Sequence, residues 1–102
     1  MKTSELTGEA LNWAVNHAER LTGILAPVNY CGKWEHGGPI IERELICLDC
    51  QFDVNEWHAW TPAPERKTGE AHGLGLTPLI AAMRCYVASK LGDEVNVPEG
   101  LS

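Results

Sequence analysis

Hydrophobic positions are densest between Thr77 and Gly92, in TPLIAAMRCYVASKLG. Leu79 to Met83, Cys85 to Ala88 and Leu91 leave almost no polar face, which predicts a buried helix and not an amphipathic one. Thr77 suits the N-cap, and Pro78 suits the first helical position, where a missing N–H does no harm. Gly92 can end the helix as a left-handed residue, and Lys90 in the last turn complements the helix dipole. Arg84 is the one charge between Pro78 and Ser89. A guanidinium keeps its proton, so Arg84 must meet an acceptor or reach water.

The other elements are arranged around this helix. Leu11, Ala14, Val15 and Ala18 recur at helical spacing, and Thr7 with Glu9 marks a start, predicting a first helix over 8–20. Leu6 before the cap is spaced to pack on Leu11. Trp13 and His17 lie one turn apart on its flank, either as a half-covering Trp beside a solvated His or as a ligand-facing pair. Residues 24–30 read as a strand that Pro27 confines to an edge. Gly37, Gly38 and Pro39 predict a tight loop, with Tyr30, Lys33, Trp34 and His36 crowded before it. Residues 40–50 read as a strand, with Glu42 and Glu44 as candidate partners for Arg84. Trp57 to Trp60 alternates as the second arm of an antiparallel hairpin. Residues 61–76 hold two prolines and three glycines and read as a flexible loop leading into the last helix. Within it, His72-Gly-Leu-Gly lacks the lysine and serine of a phosphate-binding loop. Val95 and Val97 could add a short edge strand that runs into the tail at 96–102. The expected fold class is α+β: a small antiparallel sheet of three to four strands packed against two helices, in the order α-β-β-β-α.

The chain of 102 residues is sized for a single domain. At 44% hydrophobic and 22% charged residues it has enough apolar side chains to fold. A net charge of −6 opposes binding to polymeric nucleic acid, although one or two arginines can still hold a small anion. No run of about 18 apolar residues predicts a membrane span, and the amino terminus lacks the apolar stretch of a secretory signal. A cytoplasmic protein is expected. Four cysteines are present, and without a secretory signal they are expected to be reduced and buried. Cys47 and Cys50 have C-x-x-C spacing, but on a strand they point to opposite faces, so neither a metal nor another cofactor is expected.

No hydrolase, metalloprotease or Walker pattern occurs. Cys31 with His36 could be imagined as a nucleophile pair, but nothing in the sequence lowers the thiol pKa, and a non-enzymatic protein is expected.

Three stretches carry a family resemblance: LTGEALNWAV at 6–15, GGPIIERE at 37–44 and TPLIAAMRCYVASKLGDEV at 77–95. Together they resemble the NinX-like family of small tailed-phage and prophage proteins. That resemblance implies a phage accessory protein expressed in the bacterial host cytoplasm. Such proteins commonly counter host defences, by sequestering a small nucleotide signal or by binding a host protein. A nucleotide pocket needs stacking side chains, a tight loop, a helix N-terminus and arginines. Tyr30, Trp34, His36, Gly37, Gly38, Pro39, Arg43, Thr77 and Arg84 could supply them. A chain this short has little room for a deep pocket, so a homo-oligomer with the pocket near an interface is expected. The alternatives are direct inhibition of a host protein and hydrolysis of the nucleotide signal.

Overall fold

A computed structural model describes residues 2–19, 29–51, 56–61 and 71–98. A short 3-10 turn, Thr3–Glu5, precedes helix α1, Gly8–Ala18, and helix α2, Trp34–Glu44. Strands β1, Cys47–Gln51, β2, Glu56–Thr61, and β3, Ala71–Gly75, follow, and helix α3, Pro78–Leu91, ends the series. The class is α+β, with helix first, three strands in the middle and helix last. The described residues contain one helix more than expected, α2.

The last helix forms as its sequence dictates. The Thr77 hydroxyl accepts from the Ile80 N–H at 3.1 Å, and Pro78 opens the first turn. Gly92 closes it at φ 90° and ψ −166°, outside the expected left-handed helical region but equally confined to glycine. Leu79, Met83, Cys85, Tyr86 and Val87 are all buried. Helix α3 lies on the sheet, while α1 and α2 pack against α3. Leu6, Leu11, Ala14 and Val15 are fully buried, as the α1 stripe and its preceding leucine predict. Thr7 has the extended backbone of an N-cap, although its side chain makes no capping bond.

The strands form an antiparallel meander in the order β1-β2-β3. Leu48, Ala59 and Gly73 stand opposite one another across it. Alternation then puts Leu48, Cys50, Trp57, Ala59, Gly73 and Gly75 on the α3 side. Cys47, Asp49, His58, Trp60, His72 and Leu74 share the other face. Cys47 and Cys50 thus point to opposite faces, as expected. Only Cys85 is buried; Cys31, Cys47 and Cys50 are half-buried, so the expectation of four buried cysteines is corrected.

Two segments differ from their predicted form. Residues 34–44 are helical where a tight loop and the start of a strand were expected. The glycines there are not used for positive φ; among the described residues only Gly8, Leu45 and Gly92 have it. Gly37 serves close approach instead, since a Cβ there would lie 2.5 Å from both Leu79 Cδ1 and the Tyr30 carbonyl oxygen. Ile40 faces the core from the resulting helix. Residues 71–75 form β3 where a flexible loop was expected. A Cβ at Gly73 would lie 2.5 Å from the Cys85 nitrogen, and one at Gly75 would lie 2.7 Å from Ile80 Cγ2. The two glycines bring the α3 backbone down onto the strand, which is why a segment poor in side-chain bulk is nonetheless ordered. The expected strand over 24–30 lies largely outside the described residues, and its end at Tyr30 is in a turn.

Candidate functional site

The nine residues expected to bind a ligand do not meet in one place. Tyr30 is buried, and its hydroxyl donates to Asn16 Oδ1 at 2.9 Å; burial, helped by the charge of Glu19, pushes its pKa up. Trp34, His36 and Pro39 are exposed on α2, with His36 3.9 Å from the Glu35 carboxylate. Gly37 packs under Leu79, Gly38 is half-buried, and Thr77 caps α3.

Arg43 is committed elsewhere. Its Nη1 donates to Glu19 at 3.2 Å, its Nε to Glu44 at 3.0 Å and its Nη2 to the Tyr86 hydroxyl at 3.3 Å. Lys90 adds a 3.1 Å contact to Glu44. Burial alone would raise the Glu19 and Glu44 pKa values, but the hydrogen bonds, from Arg43 and Tyr86 to Glu19 and from Arg43 and Lys90 to Glu44, outweigh it and hold both below the usual range. Burial and the facing Glu19 carboxylate push the Tyr86 phenol up. This cluster joins the ends of α1, α2 and α3.

Arg84 has neither expected glutamate as a partner: Glu44 is held by Arg43 and Lys90, and Glu42 is exposed. Its Nε donates to the Leu6 carbonyl at 2.8 Å and its Nη1 to the Leu74 carbonyl at 2.6 Å. Among the described residues no carboxylate lies within ion-pair distance of it. Burial lowers its pKa, against the smaller opposing pull of Cys31 and Glu56, yet a guanidinium stays charged. The result is a partly buried cation bonded to neutral carbonyls.

This cation lines a cavity of about 280 Å³ between the amino-terminal turn, the edge of β3 and the end of α3. Lys2, Thr3, Ser4, His72, Gly73, Leu74, Ala88, Asp93 and Glu94 complete its wall. None of the other eight expected residues borders it. The wall is closed by a long-range clip. The Thr3 N–H donates to the Asp93 carbonyl at 2.7 Å, its hydroxyl donates to the Gly92 carbonyl at 2.7 Å, and Lys2 bridges to Glu94. The sequence pattern reads as a loop over 61–76 and a tail over 96–102, with no signal at residues 2–4. No local pattern signals that the chain ends meet, because the pairing spans nearly its whole length.

A second groove, of about 400 Å³, runs along Trp13, His17, Leu91, Glu94, Val95 and Asn96. Trp13 and His17 stack at 5.1 Å there, but among the described residues no lysine or arginine borders it. Cys31 has no imidazole among its hydrogen-bond partners: its Sγ contacts the Gly8 carbonyl and Asn29 Oδ1. Burial pushes its thiol up, opposite to the shift a nucleophile needs. No group of three or more metal-ligating side chains gathers among the described residues.

The model of the family described as bacteriophage P22, NinX, matches residues 26–90. The chain belongs to that family. The match covers well over half of it, including α2, the whole sheet and nearly all of α3. No curated protein matches the chain. No described helix is long and apolar enough to cross a membrane.

Proposed function

We propose that this NinX-family phage protein binds and sequesters a small nucleotide-derived host immune signal, without catalysis, in the Arg84 cavity of the host cytoplasm's free protein. The observation that carries the proposal is the Arg84 guanidinium, partly buried at a cavity wall without a carboxylate partner among the described residues. Burying a charge is unfavourable unless an opposite charge compensates it, and an anionic ligand supplies one. Asp93 and Glu94 also line the cavity, so a polyphosphate would be repelled. A ligand with one phosphodiester and amino donors suits the mixed lining better. Ligand pockets typically span ~300–1,000 Å³, so about 280 Å³ holds roughly a mononucleotide. A larger signal requires a second copy of the chain to cover the remainder, which fits a homo-oligomer.

Titration calorimetry with cyclic nucleotides and ADP-ribose derivatives tests the proposal, with the protein at tens of micromolar. Absence of heat with all of them sinks it. Arg84→Met is a poor single control, because it also removes two bonds that hold the fold. Ala88→Leu fills the same cavity from α3 and leaves those bonds intact; it should fold normally and lose binding. Chromatography of the released ligand separates sequestration from hydrolysis, since a sequestered ligand emerges unchanged.

A second reading is direct inhibition of a host protein. Its support is the exposure of Trp34, Leu45, Leu74 and Leu76, at 54, 72, 47 and 77%. Retention of a host protein that Ala88→Leu does not disturb, and that charged substitutions at Leu74 and Leu76 abolish, would favour it.

A further inference from the structure

The open face of the sheet carries a histidine pair, of which His72 borders the cavity and His58 does not. His58 on β2 and His72 on β3 are diagonal neighbours, because His58 stands opposite Leu74 and His72 opposite Trp60. Their Nε2 and Nδ1 atoms lie 2.8 Å apart, and the rings are within 8° of parallel. Face-to-face rings cannot approach so closely. A centroid separation of 5.0 Å instead places the two imidazoles edge to edge, nitrogen toward nitrogen. In that arrangement one nitrogen donates and the other offers its lone pair. Neither side chain is buried, so either nitrogen could turn to water. The strand register keeps them converging.

We propose that His58 and His72 form a two-imidazole site for a divalent transition-metal ion, with water in the remaining positions. Imidazole nitrogen is a borderline ligand that selects zinc, nickel or copper over calcium or magnesium. Metal–nitrogen bonds of ~2.0–2.1 Å at a tetrahedral angle set the ligand nitrogens about 3.3 Å apart. The observed 2.8 Å needs an opening of about half an ångström, within reach of small rotations of two surface side chains. The ring that donates between the pair moves its proton to its outer nitrogen, so both facing nitrogens offer lone pairs to the ion. Asp49 stands directly opposite His58 on the same face, but no third ligating side chain gathers with the pair among the described residues. Trp60, whose ring centroid is 5.2 Å from that of His58, supplies a built-in reporter. The site rests on the geometry of the pair; His72 also borders the Arg84 cavity, but nickel binding is read without any nucleotide and so tests the pair separately.

Nickel chloride titrated into the whole protein tests the site, read by tryptophan fluorescence and by calorimetry. Nickel is chosen because imidazole suits it, and the cysteine variants show whether any thiol takes part. The expected result is saturable quenching at one equivalent, weakened at least tenfold by His58→Gln and by His72→Gln alike. His17→Gln with His36→Gln, and Cys31→Ser with Cys47→Ser and Cys50→Ser, should leave it unchanged. Circular dichroism should show each variant folded, since none of the substituted side chains is buried. No saturable binding at millimolar nickel overturns the proposal. So does binding that survives both single substitutions at the pair, or that follows the cysteines or the other histidines.

Discussion

Leu45 follows the last turn of α2 at φ 55° and ψ 43°, a left-handed conformation that glycine adopts freely and leucine does not. Its side chain is 72% exposed, so the strain is not offset by packing. Leu45→Gly should therefore stabilise the protein by about 1 kcal/mol, allowing for the greater freedom of an unfolded glycine. For a domain of this size that is a rise of about 5 °C in melting temperature, measurable by calorimetry. Lower stability in the variant would mean that the leucine makes a contact outside the described residues. The neighbouring glycines test a different use of the same residue type. Gly37 has no space for a methyl group, whereas the nearest outside atom to a Cβ at Gly38 is 3.8 Å away. Gly37→Ala should destabilise by about 1–3 kcal/mol through overpacking, while Gly38→Ala should stabilise by about 0.5–1 kcal/mol as a better helix former. Denaturant midpoints of the two variants should move in opposite directions.

At the level of elements, α3 was legible because cap, periodicity and terminator agree, and α1 because its apolar positions recur at helical spacing. Thr77, Pro78 and Gly92 bracket an apolar run that has no other stable form than a buried helix. Helix α2 was not legible, because Gly37-Gly38-Pro39 carries a strong turn signal that tertiary contact overrides. The same holds for β3, where Gly73 and Gly75 look like slack and are in fact the floor on which α3 rests. Arg84 was singled out correctly as unusual, but its partners are backbone carbonyls, which no side-chain pattern encodes. The junction of α1, α2 and α3 gives an element-scale prediction in pH. Glu19 and Glu44 have depressed pKa values in the folded state, so the unfolded chain binds more protons as acid is added. Their stabilising contribution is complete above the ordinary glutamate value of about 4.5 and is lost as pH falls through the lower folded values. Arg43→Met should reduce stability near neutral pH and flatten that acid dependence. Urea unfolding at a series of pH values checks this; a variant with an unchanged acid slope would remove Arg43 as its cause.

Across the whole molecule, the amino-terminal segment works as a strap that joins the start of the chain to the end of α3. Thr3 is 3% exposed and uses both its N–H and its hydroxyl on this junction, while Leu6 is fully buried and gives its carbonyl to Arg84. The strap and the arginine therefore brace the same cavity from two sides, and Leu74 on β3 supplies the third. Thr3→Val keeps the shape and the backbone bond but leaves the Gly92 carbonyl without its hydroxyl donor. The Gly92 carbonyl is exposed and can turn to water, so the cost is that of one ordinary hydrogen bond, about 0.5–1.5 kcal/mol, and the variant should unfold at lower urea concentration. Hydrogen exchange locates the effect. The Thr3 amide, bonded to the Asp93 carbonyl, should exchange faster by more than the global loss of stability explains, while amides in the middle of α3 should follow the global change alone. If the Thr3 amide moves only in step with the α3 core, the strap is not a separately opening unit and belongs to the same cooperative structure as the helix it fastens.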